Sequence, residues 1–163
     1  LEAINICNKK LPMCNLHIVG NKLKVDKRFK KYEKMNNIFQ YGFLDKNKDI
    51  KKFAYLFNIC DLGILLSRAE AGGMSLREFA FAGLPTISTS VGGMANHINH
   101  ASAIIITNKK NNEIINTLVK KLEFLYFNKD ELKRLTNNSF QDQKEFSWKA
   151  SCEKIINKIN HIE

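Results

Sequence analysis

Asp61-Leu62-Gly63-Ile64-Leu65-Leu66-Ser67, followed after Arg68 by Ala69-Glu70-Ala71-Gly72-Gly73-Met74-Ser75-Leu76-Arg77-Glu78, decides how this chain folds. The first piece is a short apolar run between polar residues, the pattern of a buried strand. In the second piece Leu76, Phe79 and Ala80 fall at helical spacing, and Gly83 then Pro85 end the helix. Between strand and helix lies a loop with two adjacent glycines. Such a strand-to-helix turn aims free backbone N–H groups and a positive dipole end at one point, the arrangement with which α/β proteins hold phosphate.

With a helix starting near Ser75, Glu70 sits on the loop past the strand's carboxyl end and Glu78 sits in the first helical turn. Gly72 and Gly73 lie between them, where absent side chains let a ligand approach the backbone. A carboxylate only accepts hydrogen bonds and can take two from a vicinal diol. The pair therefore suits the hydroxyls of a sugar or ribose beside an anion site, rather than the phosphate itself. A second reading of Glu78 stays open: Ser75-Leu76-Arg77-Glu78 has the form of a capping box, which would spend the glutamate on the helix.

The wider run carries a family resemblance. Cys60 to Ser67, then Glu70-x7-Glu78 with Gly73 inside, then Glu78-Phe79-Ala80-Phe81-Ala82-Gly83-Leu84-Pro85-Thr86-Ile87-Ser88-Thr89 and the turn Val91-Gly92-Gly93 resemble, in order and spacing, the donor-binding signature of retaining GT-B glycosyltransferases of the group 1 type. The resemblance implies that Glu70 contacts the donor sugar near the reaction centre. It also implies that Gly72, Gly73, Met74 and Ser75 offer backbone groups to sugar and diphosphate, and that Glu78 accepts from the ribose. Gly92 and Gly93 would turn backbone N–H groups toward the donor. Where the family carries a glutamate three residues beyond that glycine pair, this chain has Asn96, which keeps a hydrogen-bonding group and drops a charge.

The same resemblance implies a reaction that retains anomeric configuration, needs no metal or other cofactor, and takes a nucleotide-diphosphate sugar as donor. It places the protein in the cytoplasm, with at most peripheral contact at the inner membrane face. In the family a strand and a basic loop precede the first helix, whereas Leu1-Glu2-Ala3-Ile4-Asn5-Ile6 reads as a helix already under way. The expectation is a single nucleotide-sugar-binding domain over 1–163, lacking its own first strand and the N-terminal acceptor domain, and inactive as a transferase by itself.

The 163 residues suffice for a real core. No apolar run reaches the roughly 18–20 residues of a transmembrane helix. Cys7, Cys14, Cys60 and Cys152 are scattered, which favours free thiols over a disulfide framework or zinc. The formal charge of +10 suits anionic partners such as nucleotide diphosphates or an acidic membrane. Its lysines are dispersed, however, and dispersed charge is ordinarily a solvated surface. No arginine block or basic–aromatic interleaving marks a nucleic-acid binder.

Along the rest of the chain, apolar patterning predicts strands at 16–20, 38–41, 84–89 and 103–106. Helices are predicted at 1–9, 27–35, 50–57, 114–125 and 131–138, with a final helix opened by Phe146-Ser147-Trp148. Ile50, Phe53, Leu56 and Phe57 mark a helix packed on the sheet, and Cys152, Ile155, Ile156 and Ile159 form the last helix's apolar stripe. His17 reads as a packed or edge residue. The turn at Gly42, Phe43 and Leu44 is either a plain strand end or, by the resemblance, a contact for the nucleobase. Strands alternating with helices give an α/β class: a Rossmann-like parallel sheet with helices on both faces, as in the C-terminal half of a GT-B fold. Two other functions share this outline. One is a GT-B nucleotide-sugar epimerase, for which no acid–base set is evident. The other is a non-enzymatic module binding a polyanion or membrane surface.

Overall fold

The computed structural model describes residues 1–11, 14–20, 32, 35–98, 101–107, 110–145 and 147–160, and among these lie five strands and six α-helices. The helix expected over 27–35 lies almost wholly outside the described residues. Every strand pairing among the described residues is parallel, so paired strands are joined by crossovers and not by hairpins. The strands form a two-stranded and a three-stranded sheet, and the described residues gather into two compact units, 1–59 with 108–128 and 60–107 with 129–163.

In the first unit, β1 (Leu16–Val19) pairs with β2 (Ile38–Gly42). Helix α1 (Glu2–Cys7) packs on α4 (Asn111–Phe127), each contributing buried apolar residues one turn apart: Ala3, Ile4 and Cys7 from one, Leu118, Val119, Leu122 and Leu125 from the other. Burial there pushes the Cys7 thiol up to about 11. All four cysteines are free. His17 stacks on Phe39, the residue opposite it on β2, at 4.9 Å, and its Nδ1 lies 2.9 Å from the Tyr41 hydroxyl. It is a packed residue, with burial lowering its pKa. Helix α2 (Ile50–Ile59) buries Leu56, while Ile50, expected on the packed face, is exposed in the first turn.

The second unit carries the opening motif. Its sheet runs β3 (Gly63–Leu65), β4 (Thr86–Thr89), β5 (Ala103–Ile106), with the central β4 buried along its whole length. The apolar run 61–67 thus yields a strand of only three residues, because the chain turns away at Leu66 to start the loop. Helix α3 (Met74–Phe81) ends in a Schellman motif: the Gly83 N–H donates to Ala80 O and the Leu84 N–H to Phe79 O, with Gly83 at φ 71°. Glycine suits this site on two counts: the φ is left-handed, and a Cβ on Gly83 would meet the Phe140 ring of α5 (Lys129–Glu145).

Helix α5 is fastened to the amino ends of β4 and β5 by polar side chains on one face. Asn138 Nδ2 donates to Ala101 O at 2.7 Å, Ser139 Oγ donates to Leu84 O at 3.0 Å, and the buried Asp142 carboxyl accepts from the buried Ser102 hydroxyl. Removing a donor from a buried acceptor takes away part of what compensates its desolvation. Ser102→Ala is predicted to destabilise the fold by about 1–3 kcal/mol, read as a lower urea midpoint at unchanged slope; an unmoved midpoint would refute it.

Ser147 Oγ accepts the Ala150 N–H and caps α6 (Trp148–Asn160). The apolar stripe of α6 is exposed: Ile155, Ile156 and Ile159 are each more than half accessible, and Cys152 is exposed as well. Periodicity marks a face as apolar without supplying the surface that covers it. No helix among the described residues is long and apolar enough to cross a membrane.

Candidate functional site

The site is built where β3 and β4 end. Leu65 pairs with Ser88 in parallel register, so Ser67 leaves the sheet at its carboxyl edge one step beyond Thr89, the last residue of β4. Thr89 Oγ1 donates to the Ser67 carbonyl at 2.7 Å and fixes where the first loop begins. From there the chain passes Arg68 and Ala69 to Glu70. Both oxygens of the Glu70 carboxylate are held: Oε2 accepts from Ser67 Oγ and Oε1 from the Gly73 N–H, each at 3.3 Å. These distances are at the long end of hydrogen bonding. They leave two lone-pair directions of the carboxylate for something else.

Helix α3 starts immediately after this loop. Gly73 is its N-cap, in the left-handed region at φ 58° and ψ 42°, with no side-chain capping bond. Met74 and Ser75 are therefore its first two residues, whose N–H groups precede the i→i−4 ladder. Met74 is exposed. The helix begins one residue earlier than the motif suggests, with two consequences. Ser75 is inside the helix, so Ser75 and Glu78 do not form a capping box around the N-cap. Glu78 lies in the second turn instead of the first, and is half-buried there. The same Ser-x-x-Glu spacing occurs at Ser67 and Glu70, and there the side chains do meet.

The second glycine pair supports the first loop from behind. Gly92, at φ 55°, opens a 3-10 turn over Gly92–His97. A Cβ on Gly92 would collide with the Glu70 carbonyl oxygen, and one on Gly93 with the Ala71 carbonyl oxygen. The two loops therefore touch backbone to backbone, and the room vacated by these glycines is filled by the protein itself. Met94, fully buried, continues the contact: a Cβ on Gly73 would come within 2.8 Å of its Cγ. Gly72 differs, since a Cβ there would have nothing within 4 Å. Of the four loop glycines, Gly72 is the one that faces open space.

Helix α3 lies close on the sheet because Gly63 leaves room for the Phe79 ring, which a Cβ at 63 would strike. That close approach sets the height of the helix's first turn over the strand ends. Glu70, Gly72, Gly73, Gly92 and Gly93 are thus gathered at one point, with Met74, Ser75 and Glu78 following on α3. Gly42, Phe43 and Leu44 belong to the first unit. There Gly42 (φ 72°) ends β2 and accepts the Gly20 N–H at 2.9 Å, Phe43 is 77% exposed and Leu44 is buried. The Asn96 side chain lies outside the described residues, and among those residues no group of three or more His, Cys, Asp or Glu could hold a metal ion. Sequence reasoning passed over Ser67, Thr89 and Met94. The signal for the first two was a hydroxyl at the final position of each of two neighbouring strand segments.

Solved structures share this fold. The pneumococcal O-GlcNAc transferase GtfA, in complex with UDP and GlcNAc, superposes at TM-score 0.75 and 18% identity over 99% of this chain and 32% of its own. Anabaena HepE in complex with UDP-glucose gives TM-score 0.72 and 14% identity over 98% and 44%. The C-terminal domain of the group 1 glycosyl transferase LpcC from Francisella tularensis gives 0.65 and 18% over 86% and 73%. The chain spans less than half the length of the first two. Among curated proteins no match was found. The fold is that of the C-terminal domain of a GT-B glycosyltransferase, an α/β fold with parallel sheets flanked by helices. The chain belongs to the glycosyl transferases group 1 family, whose model matches residues 1–142.

Proposed function

We propose that this chain is the donor domain of a glycosyltransferase, binding a nucleotide-diphosphate sugar for transfer of its glycosyl group, with retention, to a glycan or lipid acceptor. The observation that carries the reading is the Glu70 carboxylate, held by the Ser67 hydroxyl and the Gly73 N–H beside the N-terminus of α3 in a group 1 chain. That GtfA and HepE are described with UDP and UDP-glucose supports a nucleotide-sugar donor here.

In this reading Glu70 accepts from two hydroxyls of the donor sugar through its remaining lone pairs. The open side of Gly72 admits the sugar against the backbone. The N–H groups of Met74 and Ser75, with the positive end of α3, face the diphosphate and stabilise the charge that grows on it as the glycosidic bond breaks, while Gly73, whose N–H is held by Glu70 Oε1, lets the donor come close to the chain. Glu78 accepts from the ribose hydroxyls. Gly92 and Gly93 act on the donor through the loop they support, and Gly42, Phe43 and Leu44 are proposed for the nucleobase by the resemblance of that turn. No metal is needed for these roles. The acceptor site and the family's basic groups for the diphosphate are proposed to lie outside these 163 residues, which by themselves are proposed to be inactive, in a protein of the cytoplasm or its membrane face.

Isothermal titration of UDP, GDP and ADP into the protein at its natural full length tests this. One nucleotide is expected to bind selectively, and Glu78→Ala to weaken it about tenfold by loss of charge-assisted hydrogen bonds. Binding to none of the three, or binding indifferent to the Glu78 substitution and erased by salt, would sink the proposal in favour of general polyanion attraction.

A further inference from the structure

The Glu70 carboxylate is tied to the sheet by a short relay of hydrogen bonds. Thr89 is the last residue of β4, is 6% exposed, and stands in a strand whose register is set by neighbours on both sides. Its hydroxyl donates to the Ser67 carbonyl, and the Ser67 hydroxyl donates to Glu70 Oε2. The other carboxylate oxygen, Oε1, is held by the Gly73 main chain, which follows from the start of α3. One bond alone would leave the carboxylate free to swing about Oε1, because the terminal torsion of a glutamate is broad and costs little to rotate. The second bond removes that freedom.

We propose that Ser67, anchored by Thr89, is a positioning residue that sets the orientation of the Glu70 carboxylate for the sugar part of the donor. The inference rests on the donor-site reading of Glu70 given above. It separates two things the loop does. The backbone N–H groups of α3 hold the diphosphate whatever the carboxylate's rotation, whereas a bidentate contact with a sugar diol needs both carboxylate oxygens in one fixed plane. Loss of the Ser67 hydroxyl therefore acts on the sugar and spares the nucleotide.

The test compares wild type, Ser67→Ala, Ser67→Thr and Glu70→Gln in the full-length protein. UDP, GDP and ADP and the glucose conjugate of each are titrated, and the variants are scored on the pair that wild type binds. Ser67→Ala is expected to weaken the conjugate about tenfold and leave the diphosphate within about twofold, with Ser67→Thr restoring the conjugate because it returns the hydroxyl. Equal loss for diphosphate and conjugate in Ser67→Ala would mean that the serine merely holds the loop together, and would overturn the proposal. So would an unchanged Ser67→Ala beside a Glu70→Gln that loses the conjugate, which leaves the reading of Glu70 intact. If neither variant changes conjugate binding, Glu70 does not contact the sugar and both readings fall.

Discussion

Gly92→Ala is expected to lose nucleotide-sugar binding and to loosen the loop at Glu70, although residue 92 is assigned no ligand contact of its own. Two costs combine. At φ 55° an alanine pays the left-handed penalty, and its Cβ meets the Glu70 carbonyl oxygen, so one of the two loops must move. Together they amount to on the order of 3 kcal/mol. The group displaced is the backbone of the residue whose carboxylate is proposed for the donor sugar, so the damage should reach binding directly. Gly72→Ala is the control: its Cβ enters open space, and stability should stay within about 1 kcal/mol of wild type. Hydrogen exchange at the Gly73 and Met94 amides reads the result locally. Protection at both amides should fall in Gly92→Ala and hold in Gly72→Ala; equal protection in the two variants would remove the backbone contact from the account.

That contrast shows which parts of the site were legible in the chain. The strand, the glycine-rich turn, the helix and its stop at Gly83 follow from local rules, because each depends on residues within a few positions of one another. So does the order of motifs that resembles the group 1 signature. What a glycine is for, by contrast, depends on what stands opposite it. Gly92 and Gly93 read as a pair turned toward the donor, and the fold adds that the Glu70 and Ala71 carbonyls fill the space a side chain would take there. The helix start moved for a related reason. Ser75 has the better capping side chain, yet Gly73 takes the N-cap by adopting a left-handed conformation that serine reaches only at a cost.

The pairing of Ser67 with Glu70 was hidden differently. It matches a spacing rule, but the apolar run before it makes Ser67 look like the end of a strand, and the bond that fixes it comes from Thr89, 22 positions away. The exposed isoleucines of α6 make the converse point. Their period was read correctly, and burial failed to follow, since burial needs a second surface. Local chemistry predicts elements well here; contacts between loops distant in sequence decide the site.

Glu70→Ala and Glu70→Gln should differ in how they fail, and the difference isolates the charge. Alanine removes both the carboxylate and the bonds to Ser67 and Gly73, so it should free the loop and delete the proposed sugar contact together. Glutamine keeps the shape: its oxygen still accepts the Gly73 N–H, and its amide donates to the Ser67 hydroxyl, which can accept as well as donate. What glutamine loses is charge, and with it the ability to accept from two sugar hydroxyls at once. Hydrogen bonds to an ionised group are worth about 1.5–3 kcal/mol each, against about 1 for neutral ones. Turnover by the full-length protein with its acceptor is therefore expected to fall roughly a hundredfold or more in Glu70→Gln and further in Glu70→Ala. The nucleotide alone should bind Glu70→Gln as it binds wild type, because its proposed contacts are the α3 backbone and Glu78. Kinetics resolve where the energy is used. A lower kcat at constant KM would mean that the carboxylate acts mainly in the transition state; a raised KM at constant kcat would reduce it to uniform substrate binding. Near-wild-type turnover in Glu70→Gln would show that a neutral acceptor suffices and that the negative charge at this position does not contribute to transfer.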